Sequence, residues 1–467
     1  MHRSLAWLSL LALTAIPLDA GRLVSGPMLG YVEHREAAVI VEVAEASEVT
    51  IEFSIDDDAV SMRRIVKRDP WVSPADTQPV RFVLNNLEPG KAYTYRVFID
   101  GVEAERPWRL GFKTQDQFEW RRPPADFSFL LGSCSYFNDP PWDRPGTPYG
   151  RDTVILRHMA ASGADFMIWL GDALYLRESD WWSASGIWGR WSKDRSNADL
   201  QPFAAAMSHY MIWDDHDYGP NNASKSYPLK TDSLEAFKAH TGNRTYGEPD
   251  NPGVYGTLQF QDAIFIMLDN RYYRDDTNLD QELHPEKSQY GKRQMEWLRD
   301  TLAHLNEGNN SRFLRFRFIC TGSQFLNSND YPGSEDGNHY KREREEILEL
   351  IRELKIPGVI FLTGDVHYSE MRRQEGTLAY PLYEITSSSI TAGPHTGKLP
   401  DDPSRMEGTV FQDNNYCKVA ISGPANDRVA TVSCFNRDNV LQWTREIRAT
   451  ELVIPKPTEE QPFRPAP

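Results

Sequence analysis

The stretch MIWDDHDYGPNN, residues 211–222, sets Asp214, Asp215, His216 and Asp217 side by side directly behind an apolar lead-in. Adjacent aspartates repel one another, and the hydrophobic run draws them out of water, where an uncompensated carboxylate is costly. A bound cation removes that cost. A polar loop with its acids in solvent is the competing explanation, and this stretch alone does not separate the two.

The same arrangement recurs along the chain. FSFLLGSC ends in Ser133 and Cys134, and DFMIWLGDALY ends in Gly171 and Asp172 with Tyr175 three residues on. AIFIMLDNR delivers Asp269, Asn270 and Arg271, FRFICTGSQF delivers Ser323 and Gln324, and VIFLTGDVHYSE ends in Asp365 and His367. Read as buried strands of an α/β sheet, these runs gather their terminal side chains outside the carboxyl ends of the strands, where such sheets bind ligands. Carboxylates neutralise a multivalent cation, and one that bridges can hold two metals about 3.5 Å apart. An imidazole and a thiolate add softer donors suited to iron or zinc, and a tyrosine can serve a ferric ion as phenolate. Two such Lewis acids can bind a phosphate ester and deliver a metal-bound hydroxide to phosphorus, while a nearby histidine protonates the departing oxygen. Each motif alone is weak, because a strand-end Asp is often only a helix cap. Their joint occurrence carries the reading.

The elements that must position these groups are also legible. From about residue 125 apolar runs alternate with helical patterns, as in an α/β domain. Two amphipathic segments put Met295, Leu298, Leu302 and Leu305, and then Ile347, Leu350, Ile351 and Leu354, on single helix faces. Residues 22–115 read instead as an all-β sandwich, with short β-branched runs such as AVIVEVAE and VTIEFSID. There LEPGKAYTYRVFIDG places Tyr93, Tyr95, Val97 and Ile99 on one face. Its Leu-x-Pro-Gly turn before Tyr-x-Tyr resembles the tyrosine corner of fibronectin type III and immunoglobulin-like domains. Residues 1–20 have the basic start, apolar run and small residues of a signal peptide, which predicts a secreted or periplasmic protein. No later run is long enough to span a membrane. Residues 451–467 read as a disordered, proline-rich tail. LRESDWWSASGIWGRWSKDR carries four tryptophans and reads either as a substrate-facing loop or as a segment packed over the core.

A chain of 467 residues calls for more than one domain. The net charge of −16, from 67 acids against 51 bases, argues against a nucleic-acid backbone or an anionic membrane surface as the main partner. No nucleic-acid-binding domain is expected. Of the four cysteines, Cys320 sits in an apolar run, and Cys417 and Cys434 flank a hairpin that would place them opposite each other, as a disulfide or as two buried thiols. Cys134, at a strand end, reads as a metal ligand.

Gly132-Ser133-Cys134, Gly171-Asp172-x-x-Tyr175, Trp213 to Asp217 and Gly364 to Glu370 together resemble the calcineurin-like metallophosphoesterases, in particular the PhoD-type alkaline phosphatases, over roughly residues 125–450. The resemblance implies a four-layer α/β/β/α sandwich after the N-terminal β-sandwich, and a multinuclear centre of Fe3+ with Ca2+, with Zn2+ or Mn2+ as alternatives. It implies that Cys134, Asp172, Tyr175 and His367 hold the ferric ion, with Asp172 bridging, and that Asp215 and Asp365 serve the second metal. His216 then contacts phosphate and donates the proton. Asp214 and Asp217 become supporting residues, Asn221, Asn222 and Gln324 supplementary oxygen ligands, and Arg177 or Arg271 a phosphate clamp. The family's carboxylate two residues past the cysteine is Tyr136 here, with Asn138 or Asp139 as nearby replacements. The expected function is a secreted metal-dependent phosphatase or phosphodiesterase acting on a small or polymeric phosphate ester. The alternatives are a non-catalytic binding protein on a degenerate scaffold and a metallohydrolase of another ester.

Overall fold

The six apolar runs are strands because their residues bury both faces, which favours a parallel interior sheet over an alternating pattern. Phe127–Gly132, Phe166–Leu170 and Ser208–Ile212 lie side by side and parallel in one six-stranded sheet. Asn415–Ser422, Val429–Asn436 and Leu441–Arg448 complete it with antiparallel pairings. Ala263–Met267, Phe316–Cys320 and Val359–Thr363 are parallel neighbours in a second six-stranded sheet. The sheets face one another, with Phe129 of the first edge-on to Phe265 and Phe318 of the second at 4.9 and 5.3 Å. Helices Lys292–Asn306 and Lys341–Glu353 bury the expected Met295, Leu298, Leu302, Ile347, Leu350 and Ile351 in the same core. This computed structural model describes residues 21–455 except 57, 69–72, 308–309 and 328–336, so the expected signal peptide and residues 456–467 of the expected tail lie outside the described residues. The start of that tail is not loose: Leu452 is fully buried in the core and its carbonyl accepts from the Gly358 N–H (2.9 Å). Among the described residues no helix is long and apolar enough to cross a membrane.

The strand ends of the two sheets meet at one rim. A Cβ at position 364 would lie 2.6 Å from Ser133 Oγ and 2.7 Å from the Leu170 carbonyl, so only glycine lets these segments approach. That contact joins the loop carrying Asp365 and His367 to those carrying Cys134 and Asp172.

The N-terminal strands form two further sheets. Arg22–Val32, Ala37–Ala44 and Gln78–Leu84 make one, and Glu48–Ile55, Arg63–Arg68 and Ala92–Ile99 anchor the other. Val39, Val41, Ile51, Phe53, Phe82, Tyr95 and Val97 fill the space between them. The Tyr93 hydroxyl accepts a 2.8 Å hydrogen bond from the Glu88 backbone N–H, which is the tyrosine corner expected from the turn.

This β unit is fused to the larger one. Met28, Tyr31, Ala38 and Ile40 belong to the core of the larger unit. Gly30 and Gly242 touch backbone to backbone, since a Cβ on Gly242 would lie 2.2 Å from the Gly30 Cα. Beside this seam the buried Glu42 accepts hydrogen bonds from Ser25 (2.9 Å) and Thr77 (2.6 Å) and lies 3.5 Å from His240 Nε2. Burial opposes ionisation of Glu42, but His240, Thr77 and Ser192 outweigh it and hold its carboxyl at about 2, below the ordinary 4.5. A depressed carboxylate contributes stability above its unfolded pKa and loses it as pH falls through the folded one. Glu42→Gln is therefore expected to cost about 3 kcal/mol at pH 7. Its Tm deficit relative to wild type should shrink between pH 4.5 and pH 2. A variant melting like wild type at pH 7 would remove Glu42 from this role.

Candidate metal centre

Several of the donor-bearing segments turn sharply where they present their side chains. Cys134, Asp172, Asn222, Asp365 and His367 all have φ between +51° and +72°. They are five of the thirteen described non-glycine residues in the left-handed region, which side chains enter only at a cost and which gathers at functional sites. The turns aim the side chains at one place. Cys134 Sγ is 3.4 Å from Asp172 Oδ2, and the Tyr175 hydroxyl is 3.2 Å from that same oxygen and 3.1 Å from His367 Nε2. Asp365 enters beside them, its carbonyl 3.6 Å from Cys134 Sγ.

Two groups of donors emerge. One donor atom each from Cys134, Asp172 and His367 lie within 4.8 Å of one another, and the same holds for Asp172, Asp215 and His216. Asp172 belongs to both. Asp215 and His216 begin a short helix, Asp215–Tyr218, that opens with a capping box. The Asp217 carboxylate accepts from the backbone N–H of Asp214 (3.1 Å) and of Leu174 (3.1 Å), so Asp217 builds the turn. Asp214 is buried against Arg271 and receives Asn270 Nδ2 at 2.9 Å.

The electrostatics mark an acid excess. Burial, then the neighbouring Cys134, Asp215, Asp214 and Asp217, drive the Asp172 carboxyl well above the usual range. Burial raises the Cys134 thiol to about 12 and Asp217 to about 7. Asp215 is instead held down, at about 2, because His216 and Arg271, with the Asn222 N–H and Arg274, outweigh its burial. A multivalent cation inverts this logic, deprotonating a coordinating thiol and relieving the like-charge repulsion. Carboxylates, thiol, imidazole and phenol packed this closely fit a metal centre.

The other expected residues divide. Asn221, Asn222 and Gln324 line the same cavity of about 660 Å³ with Asp172, Asp215, His216, Asp365 and His367. The Asn222 N–H donates to Asp215 Oδ2 (2.7 Å), and Gln324 Nε2 donates to Glu370 (2.8 Å). Neither candidate arginine is among the lining residues. Arg177 is buried, donating to Asp143 (3.1 Å), the Phe137 carbonyl (2.6 Å) and the Tyr175 carbonyl, while Arg271 is fully buried against Asp214. Asn138 turns away and grips Gly150. Asp139 pairs with Arg190 (3.2 Å), and the Tyr136 hydroxyl donates to Asp143 (2.7 Å). The cavity also takes Tyr368, which lies in the Gly364 to Glu370 motif but drew no role from it, and Tyr149, Arg372, His395 and Arg405, which lie outside the motifs. Tyr149 lies within the proline-rich stretch NDPPWDRPGTPYG, where no periodicity or spacing ties it to the strand ends.

Residues 129–426 match the family of PhoD-like phosphatases. The chain belongs to that family. Residues 20–116 match a second family, described only as a domain of unknown function, DUF7800. Alkaline phosphatase D of Bacillus subtilis (strain 168) is 26% identical over 368 residues, covering 69% of this chain and 58% of its own length. The chain thus spans less than two thirds of that relative. A solved structure of PhoD aligns with a TM-score of 0.69 and 18% identity over 90% of this chain and 91% of its own. The purple acid phosphatase PPD1 from yellow lupin (Lupinus luteus) seeds aligns at 0.65 with 11% identity, over 95% of this chain and 78% of its own. At these identities the likeness concerns the fold alone, a mixed α/β architecture with an all-β N-terminal region. The PhoD-like match spans Cys134, Asp172, Tyr175, Asp215, Asp365 and His367.

Proposed function

We propose that the protein is a secreted metal-dependent phosphatase or phosphodiesterase. The observation that carries the reading is the Asp172 carboxylate, common to two groups of donors, each with two buried members and a half-buried histidine, at one cavity. In this reading Cys134, Asp172, Tyr175 and His367 would hold a ferric ion. Asp172, Asp215 and Asp365 would hold a calcium ion, to which the Asn221, Asn222 and Gln324 side chains would offer further oxygens. Two such cations, when bound, supply charge for the phosphate oxygens and acidify a water for attack on phosphorus.

The remaining work falls to the chain itself. His367 Nδ1 lies 2.5 Å from the Gly393 carbonyl, which fixes the ring so that Nε2 faces Tyr175 and the site. The His216 ring stacks on Tyr175 at 4.1 Å and lines the cavity, where it is placed to give a proton to the departing oxygen. A cavity of about 660 Å³ exceeds what a phosphoryl group fills, which leaves room for the leaving group. Secretion rests on the reading of residues 1–20.

Purified protein is expected to carry about two metal ions per chain by elemental analysis. It should hydrolyse an aryl phosphate or an aryl phosphodiester, and chelation should abolish both activities. A metal-free protein without hydrolysis would favour the binding-protein alternative.

A further inference from the structure

We propose that Tyr149 contacts the bound substrate, its hydroxyl donating a hydrogen bond to a phosphoryl oxygen; this rests on the phosphoesterase reading above. The residue lines the cavity beside Asp172, Asp215, His216 and His367. It is 45% exposed, yet its ring packs on Tyr136 and Tyr175 and the adjoining Gly150 is hydrogen-bonded on both sides by Asn138.

The ring is held by aromatic neighbours and by bare backbone. Tyr149 sits edge-on to Tyr136 at 5.0 Å and to Tyr175 at 6.1 Å. Beneath it lies Gly393, where a Cβ would come 3.2 Å from Tyr149 Cε2. The main chain is pinned at the next two residues. Asn138 Nδ2 donates to the Gly150 carbonyl (2.8 Å) and its Oδ1 accepts from the Gly150 N–H (3.0 Å), while the Arg151 N–H donates to the Thr391 carbonyl (2.7 Å). Asn138 thus acts as a positioning residue for the tyrosine. A donor held this way is preorganised, so little ordering entropy is lost when it meets a ligand.

Hydrogen-bond accounting then assigns the phenolic proton. The Gly393 carbonyl can only accept, so the His367 Nδ1 beside it carries hydrogen. The Tyr149 hydroxyl is 3.3 Å from that same Nδ1 and must therefore act there as acceptor. Its own proton remains available to an acceptor in the cavity. The two arginines on the wall are engaged, since Arg372 and Arg405 both bond to Glu370. With Arg177 and Arg271 away from the cavity, Tyr149 is a donor poised for a phosphoryl oxygen.

The test compares metal-loaded wild type with Tyr149→Phe and Asn138→Ala, by calorimetric titration with inorganic phosphate. Tyr149→Phe should keep the wild-type metal content and Tm while binding phosphate about 10-fold more weakly. Asn138→Ala should give a smaller loss, also with metal retained. Wild-type phosphate affinity in Tyr149→Phe overturns the proposal, and so does loss of metal from that variant or an absence of phosphate binding by wild type. A wild type that hydrolyses aryl phosphates beside an equally active, equally tight-binding Tyr149→Phe sinks this inference and leaves the phosphoesterase reading standing.

Discussion

Asp172→Asn is expected to abolish hydrolysis and metal binding while making the metal-free fold more stable. Both effects come from the same carboxylate. It is the one residue common to the two donor groups, so an amide in its place removes a ligand from each. Substituting residues that merely support a ligand typically costs 10–100-fold in affinity or activity, so loss of a shared ligand should cost at least about 10³-fold in kcat/KM. Elemental analysis should find the metal content collapsed. In the metal-free protein, however, the Asp172 carboxyl is pushed well above its usual range by burial and by Cys134, Asp215, Asp214 and Asp217, so its ionised form opposes folding at neutral pH. An uncharged isostere relieves that opposition and should raise the Tm of the chelated protein. Function and stability would then be traded at a single side chain. An Asp172→Asn variant with wild-type rate and metal content would end the metal-centre reading.

His216→Ala should separate proton donation from metal binding. If the ring gives a proton to the departing oxygen, its removal lowers kcat by about 10²- to 10⁴-fold and leaves the metal content unchanged. The loss should be larger for alkyl esters, whose leaving groups need the proton, than for aryl esters. The geometry makes the control necessary, because His216 also lies within ligand distance of Asp172 and Asp215. Loss of about one metal per chain in the variant, with equal losses on both ester types, would reassign His216 as a ligand.

Much of this centre was legible because its donors stand at the ends of buried strands. A segment such as Val359–Thr363, apolar on both faces, leaves little alternative to an interior strand, and the residues just past its carboxyl end must lie at the sheet's rim. The turn before Tyr93 was equally legible, since its hydroxyl bond is local. The hidden parts depend on partners distant in sequence. Nothing near Arg271 announces that Asp214 will occupy it, and nothing near Asn138 announces Gly150. The tryptophan-rich segment was ambiguous because its helix, Ala184–Arg195, buries Arg190 and Asp194 alongside Trp188 and Trp191, which blurs the amphipathic period. Of the segment's four tryptophans only Trp182, just before the helix, is largely exposed, at 68%. Cys417 and Cys434 do face each other across the hairpin, and both are free thiols.

The contact of Gly30 with Gly242 bears on how such a chain can evolve. Two main chains in van der Waals touch tolerate no added methyl on either side, so each position constrains the other. A recombination event that exchanged the β-sandwich for an unrelated one would have to bring a matching bare spot, and also the apolar plug formed by Met28, Tyr31, Ala38 and Ile40. The two units are therefore expected to be inherited as one piece, with variation confined to the loops far from their common seam.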